Sequence, residues 1–276
     1  MDSLVSTNWL AAHLNEADLK LVDSSWHMPA TGRSGRDEYL SAHIPGAVYF
    51  DIDAVADTAN AAPHAIPSAA EFGAAMATLG IGRDDRIVVY DNSPLRTAAR
   101  GWFMLRHFGA TRVAILDGGF QKWLAEGRPT ESGVPSPRPA RFGAVEGDSV
   151  VTKQQLLAGI DTPLVDARGK PRFEGAEPEP RPGVAPGHIP GARNLPFGSL
   201  YREDGRFQPV GELERLFREA GIDPHRPFVA TCGSGVTANS LLFAAHLIGS
   251  DHNRLYDGSW SEWGADPATP KAVGPA

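Results

Sequence analysis

The chain has 276 residues, a length that suits about two domains, and its 42% hydrophobic and 21% charged residues exclude a disordered or fibrous chain. Twenty-six basic against 33 acidic side chains leave a net charge of −7, which argues against non-specific nucleic-acid binding, where cations must neutralise phosphates. No apolar run approaches the roughly 20 residues of a membrane span, the start MDSLVSTNWLAAHLNEADLK has no basic n-region before an apolar core, and the only cysteine is Cys232. One cysteine rules out an internal disulfide framework and a multi-cysteine metal site, and the expectation is a cytoplasmic protein with no membrane partner.

In chain order, Leu21-Val22-Asp23 reads as a strand and is followed by HIPGA at 43–47. Leu79-Gly80-Ile81 precedes the apolar run Ile87-Val88-Val89-Tyr90, and Thr97 to Phe108 then carries apolar residues, Trp102, Phe103 and Met104 among them, at helical spacing. Leu116-Asp117-Gly118-Gly119-Phe120 with Trp123 closes the set. The series then recurs. Leu164-Val165-Asp166, HIPGA at 188–192, Ala220-Gly221-Ile222, Phe228-Val229-Ala230-Thr231, a helical stretch from Thr237 to Ile248, and Tyr256-Asp257-Gly258-Ser259-Trp260 with Trp263 follow in the same order. The offset drifts only from 145 at HIPGA to 140 at Trp123 and Trp263, which marks a duplicated domain. The predicted organisation is an N-terminal domain over 1–130, a Pro- and Gly-rich exposed linker over 131–148 and a C-terminal domain over 149–276. Strands alternating with helices predict the α/β class, a parallel sheet flanked by helices in each copy. Ligand sites in such sheets lie at the carboxyl ends of the strands.

At that position the copies differ. Asp91-Asn92-Ser93-Pro94-Leu95-Arg96 aligns with Cys232-Gly233-Ser234-Gly235-Val236, so only the second copy has a nucleophile. A lone cysteine is commonly an inert buried hydrophobe. Here two glycines let the backbone curl its N–H groups toward one point, and a helix N-terminus follows. Both favour an anion, a thiolate or a persulfide. His43 and His188 occur in both copies and are expected to stabilise a turn, while Trp260, Trp263 and the stripe Leu241, Leu242, Ala245, Leu247 are expected core. A phosphatase loop would need an arginine where Ala238 stands, and there is no GxxxxGK or dinucleotide fingerprint, so no cofactor is expected.

The tandem copies, HIPGA, CGSGVT and YDGSWSEW resemble the rhodanese-type sulfurtransferases over nearly the whole chain. The resemblance implies two tandem rhodanese-like domains, the first catalytically silent and the second carrying sulfur on Cys232. Tyr39 stands where the family usually has Phe, and Val184 takes that place in the second copy. Thiosulfate-using members have a basic loop of the CRKGVT type, whereas this loop has no charged side chain; that implies a sulfurtransferase moving sulfane sulfur from 3-mercaptopyruvate to a thiol, thioredoxin or cyanide, with pyruvate released. Gly233, Gly235, Val236 and Thr237 would hold the substrate's sulfur, and Arg172 and Arg181 its carboxylate, unless they only pair with Glu174, Glu177 or Glu179 at the surface. Ser234, His64 and Asp53 are the implied proton-handling groups, the latter two in Asp51-Ile52-Asp53 and His64-Ala65-Ile66-Pro67, though His64 also reads as an ordinary loop histidine. The alternatives are a thiosulfate sulfurtransferase on the same scaffold and a non-enzymatic sulfur-carrier module that docks a protein partner.

Overall fold

Each repeat copy builds one five-stranded parallel sheet in the computed structural model, which describes residues 1–275. The first sheet contains β1 (Leu4–Val5), β2 (Leu19–Asp23), β3 (Ala47–Tyr49), β4 (Arg86–Tyr90) and β5 (Val113–Leu116), in the order β1-β5-β4-β2-β3. The second contains β6 (Val150–Val151), β7 (Leu164–Asp166), β8 (Arg193–Asn194), β9 (Val229–Thr231) and β10 (Arg254–Tyr256), in the equivalent order β6-β10-β9-β7-β8. Every pairing is parallel. The buried runs 87–90 of β4 and 113–116 of β5 fit a sheet covered on both faces, and the expected α/β architecture is present twice.

Parallel neighbours need crossovers, and helices supply them. The first copy has α1 (Thr7–His13), α2 (Gly35–Ser41), α3 (Ala69–Thr78), α4 (Ala98–His107) and α5 (Gly119–Ala125). The second has α6 (Lys153–Leu157), α7 (Lys170–Phe173), α8 (Val210–Glu219), α9 (Ala238–Ile248) and α10 (Ser259–Trp263). The central strands β4 and β9 lead through short loops into α4 and α9. Asp91 and Cys232 sit at those carboxyl ends. Trp123 and Phe120 pack under the first sheet with Val88 and Tyr90, and Trp260 and Trp263 under the second with Val229 and Tyr256, so the expected packing role of both tryptophans is met.

The chain divides into two compact units, and neither is a simple half of the sequence. The first comprises Met1–Asp57, Ile66–Gly147 and Glu203–Phe207. The second comprises Thr58–Ala65, Asp148–Arg202 and the described residues from Gln208 onward. The Pro- and Gly-rich stretch after 130 is largely exposed, with Phe142 its one buried residue. It runs along the first unit, where Ala140 N–H donates to the Ala77 carbonyl at 3.0 Å and Gly147 N–H to His107 at 2.9 Å. Phe142 is buried edge-on against Phe72, with ring centroids 5.4 Å apart. One aromatic among prolines is enough to anchor the strap.

HIPGA works by the same device in both copies. His43 stacks on Tyr39 at 4.1 Å and its Nδ1 lies 2.7 Å from the Tyr39 carbonyl; His188 stacks on Phe173 at 3.8 Å with Nδ1 2.9 Å from the Phe173 carbonyl. The second copy therefore keeps its aromatic. It is Phe173, 15 positions before the histidine instead of four, because the segment carrying Glu179 and Arg181 intervenes; Val184 only packs nearby.

A buried acid ends β2 and β7 alike, and the copies treat it differently. Asp166 is matched by Arg168, whose Nη2 lies 2.7 Å from its carboxylate with both side chains buried. Asp23 has Ser25 at that place, and burial pushes its carboxyl up to about 7. A folded-state value above the ordinary 3.8 means the folded chain holds the proton more tightly, so this group's contribution to stability is fullest at low pH and is lost as pH rises toward 7. Asp23→Asn is expected to stabilise the protein at pH 8 relative to wild type but not at pH 4. Melting temperatures measured across that range check this, and an unchanged pH profile would contradict it.

Candidate active site

The second unit gathers the candidate groups around the turn from β9 into α9. Cys232 is 1% exposed at the end of the central strand. Gly235 is required by the backbone, since its φ is +73° and a Cβ there would sit 2.6 Å from the Asp257 carbonyl. Gly233 leaves room for Arg172, whose Nη2 would lie 3.1 Å from a Cβ at that position.

Bonds to the loop's carbonyls and to two of its amides hold it in shape. Trp260 N–H donates to the Cys232 carbonyl at 3.0 Å, Ser261 N–H to the Gly233 carbonyl at 2.8 Å, and Asn239 Nδ2 to the carbonyls of Gly235 and Val236 at 2.6 and 2.8 Å. Ser259 Oγ accepts from the N–H groups of Cys232 and Gly235, each at 3.1 Å. The N–H groups of Gly233, Ser234, Val236 and Thr237 have no partner among the described residues. Successive unpartnered amides ahead of a helix N-terminus make an anion cradle, as the glycine spacing predicts.

Charge approaches from the segment after β7. Arg172 Nη2 pairs with Glu179 at 2.6 Å, and Glu179 also takes Arg168 Nη1 at 2.7 Å, so Asp166, Arg168, Glu179 and Arg172 form an alternating row. The surface-pair alternative is thus half right: Glu179 is the partner, but its side chain is only 4% exposed. Arg172 Nε is buried and has no hydrogen-bond partner, as are Thr231 Oγ1 and Asn239 Oδ1. Buried polar atoms of this kind mark a place where a ligand or water completes the bonding. Arg181 Nη1 donates to Ser261 Oγ at 2.7 Å, and that hydroxyl donates on to the Gly233 carbonyl. Both arginines are therefore within two links of the Cys232 loop.

His64 arrives from elsewhere in the sequence. The segment Thr58–Ala65 belongs to the second unit, and His64 Nδ1 lies 3.3 Å from Ser234 Oγ. The residue is buried and holds a φ of +60°. Strain at a buried polar residue is the kind of local cost found at functional positions. Asp53 lies in the first unit, where its carboxylate accepts from Trp26 Nε1 at 2.8 Å.

The first unit shows what becomes of the turn without a nucleophile. The Asp91 carboxylate accepts from Ser93 N–H at 2.8 Å and from Ala98 N–H, at the start of α4, at 2.7 Å. Burial raises its titration above the ordinary range while these two amides pull the other way. The cradle is filled by the chain's own anion. Sequence reading missed Ser259, Ser261 and Asn239 as parts of the site. Only Ser259 carried a signal, standing where the first copy has Gly119.

A Rhodanese-like domain model matches residues 6–126 and 152–266. The chain is 42% identical to a 3-mercaptopyruvate sulfurtransferase of Rattus norvegicus, covering 95% of this chain and 91% of that protein. It is 41% identical to a thiosulfate sulfurtransferase of the same organism, with the same coverage. Among solved structures it is similar to SseA from Escherichia coli, described as a 3-mercaptopyruvate sulfotransferase, with a TM-score of 0.86, 36% identity and coverage of 95% of this chain and 100% of that one. Among the described residues no helix is long and apolar enough to cross a membrane, and no acidic, histidine or cysteine cluster could hold a metal ion. With matches across both halves, the chain belongs to the rhodanese family and carries its domain twice, with a cysteine at the central turn of the second copy only.

Proposed function

We propose that the protein is a sulfurtransferase that takes sulfur from 3-mercaptopyruvate onto Cys232, releases pyruvate and passes the sulfur to a thiol, a thioredoxin-like protein or cyanide. The observation that carries this reading is the turn itself: a buried Cys232 heads a run of amides unpartnered among the described residues, with the Arg172 guanidinium beside Gly233. In the first step the Cys232 thiolate attacks the donor's sulfur and the carbon–sulfur bond breaks. The electron pair leaves on carbon as the enolate of pyruvate, which takes up a proton. Cys232 is left as a persulfide, whose charge the amides of Gly233, Ser234, Val236 and Thr237 stabilise. An acceptor thiolate then attacks the outer sulfur and the Cys232 thiolate returns.

Arg172 and Arg181 bind the donor's carboxylate and keto edge, since a planar guanidinium can pair two oxygens at once. Ser234 and His64 carry the proton to the enolate, a role supported by the separation of 3.3 Å between them. The resemblance adds Asp53 to this relay. A cytoplasmic setting belongs to the same reading, because the cycle needs Cys232 reduced between turnovers. The thiosulfate reading is favoured by one observation, the similar identity to a thiosulfate sulfurtransferase. Against it, no charged side chain lies within Cys232-Gly233-Ser234-Gly235-Val236-Thr237 to meet a dianion.

Steady-state assays with 3-mercaptopyruvate and with thiosulfate, sharing cyanide as acceptor, are expected to show a large preference for the first with pyruvate formed in step. A preference for thiosulfate would transfer the function to that donor, and inactivity with both would favour a sulfur-carrier module. Cys232→Ser is expected to abolish transfer with the fold retained by circular dichroism. Arg172→Ala and Arg181→Ala should each raise the donor KM by roughly 10- to 150-fold, the equivalent of about 1.5–3 kcal/mol for one charge-assisted contact. An unchanged KM returns these arginines to a structural role. His64→Ala and Asp53→Asn should slow mercaptopyruvate turnover more than thiosulfate turnover, which forms no enolate; equal losses would remove both from the relay.

A further inference from the structure

Ser259 is fully buried and holds a φ of +51°, one of only three non-glycine residues among the described ones in that region. At the same place the first copy has Gly119, at +59°. A Cβ is disfavoured there, so serine costs backbone energy that glycine does not. What the side chain does with its oxygen accounts for the exchange. The hydroxyl donates to the Tyr256 carbonyl at 2.9 Å and accepts from both Cys232 N–H and Gly235 N–H at 3.1 Å. Its one proton and both lone pairs are used. The two accepted amides flank Gly233 and Ser234, whose own N–H groups are among the unpartnered ones. One atom thus ties the start and the middle of the cradle to the corner after β10, and that corner takes two loop carbonyls through Trp260 and Ser261.

We propose that Ser259 is a positioning residue for sulfur transfer: its hydroxyl holds the amides of Cys232 and Gly235 so that the amides between and beyond them converge on the cysteine sulfur. The inference rests on the sulfurtransferase reading. It assigns the hydroxyl to the reacting state, where charge moves from the Cys232 sulfur to the outer sulfur, and gives it no contact with the donor's carboxylate. Removing it therefore acts on kcat and leaves KM, which Arg172 and Arg181 dominate, nearly unchanged.

Two variants separate the hydroxyl from the strain. Ser259→Ala keeps the Cβ at positive φ and loses the hydroxyl; Ser259→Gly loses both and reproduces the residue the first copy tolerates. Each is assayed as the full chain with 3-mercaptopyruvate at a temperature where circular dichroism shows it folded. Both are expected to lose roughly 10- to 100-fold in kcat with KM within about twofold, the scale set by small misplacement of reacting groups. Mass spectrometry after donor alone should show the Cys232 persulfide forming correspondingly slowly in both. Wild-type kcat in Ser259→Gly, whatever Ser259→Ala does, would overturn the proposal and leave the residue a structural one. A loss expressed mainly in KM would also overturn it. If wild type itself transfers no sulfur, the sulfurtransferase reading fails instead, so the two failures are distinct. Should Ser259→Ala not fold, Ser259→Gly alone decides.

Discussion

A buried loop can offer its N–H groups to an anion only if its carbonyls are satisfied elsewhere, since an unpaired carbonyl in the interior is as costly as an unpaired amide. The turn at Cys232 meets this condition through bonds made from outside it. The carbonyls of Cys232 and Gly233 go to the backbone of α10, and those of Gly235 and Val236 to the amide of Asn239. The placement of α10 against the turn, the packing of Trp260 beneath it and the strained Ser259 all serve the same arrangement. The Arg168 guanidinium lies over the Trp260 ring at 4.7 Å, which links the charge row to the same corner.

The two copies are two answers to one electrostatic problem. A sheet strand ending before a helix concentrates positive potential at a point, and something negative belongs there. In the first copy the Asp91 carboxyl takes that place, bonded to the amides of Ser93 and Ala98, and the site is closed by its own side chain. In the second copy Cys232 stands at that position. Beside the turn, Asp23 stays buried without an arginine, while Asp166 is held by Arg168. The first copy has Ser25 where the second has Arg168, and Asp91 where the second has Cys232. The Arg168–Glu179–Arg172 row is therefore a feature of the sulfur-bearing copy and not of the fold.

The architecture was legible because its signals are local words repeated in order. LVD, HIPGA and the aromatic endings each stay within a few residues, and the repeat made each one a check on the other. The Cys232 turn was legible for the same reason, through its two glycines. Phe173 was not, because the aromatic had moved across an insertion and the usual spacing pointed to Val184. The stretch after 130 is as exposed as its prolines and glycines suggest, but nothing in that composition singles out Phe142 as the residue that packs on Phe72. Ser259, Ser261 and Asn239 reach the loop from positions whose sequence gives only helix and turn. Contacts of that kind depend on three-dimensional closeness, which no periodicity encodes.

The make-up of the second unit has a consequence for the protein's history. Its residues include Thr58–Ala65, made early in synthesis, while the first unit includes Glu203–Phe207, made late. A gene cut between the copies would give one product without the stretch that brings His64 to Ser234 and another without Glu203–Phe207. After such an exchange the duplication is no longer reversible by simple fission. Each copy houses a piece of the unit that its twin builds.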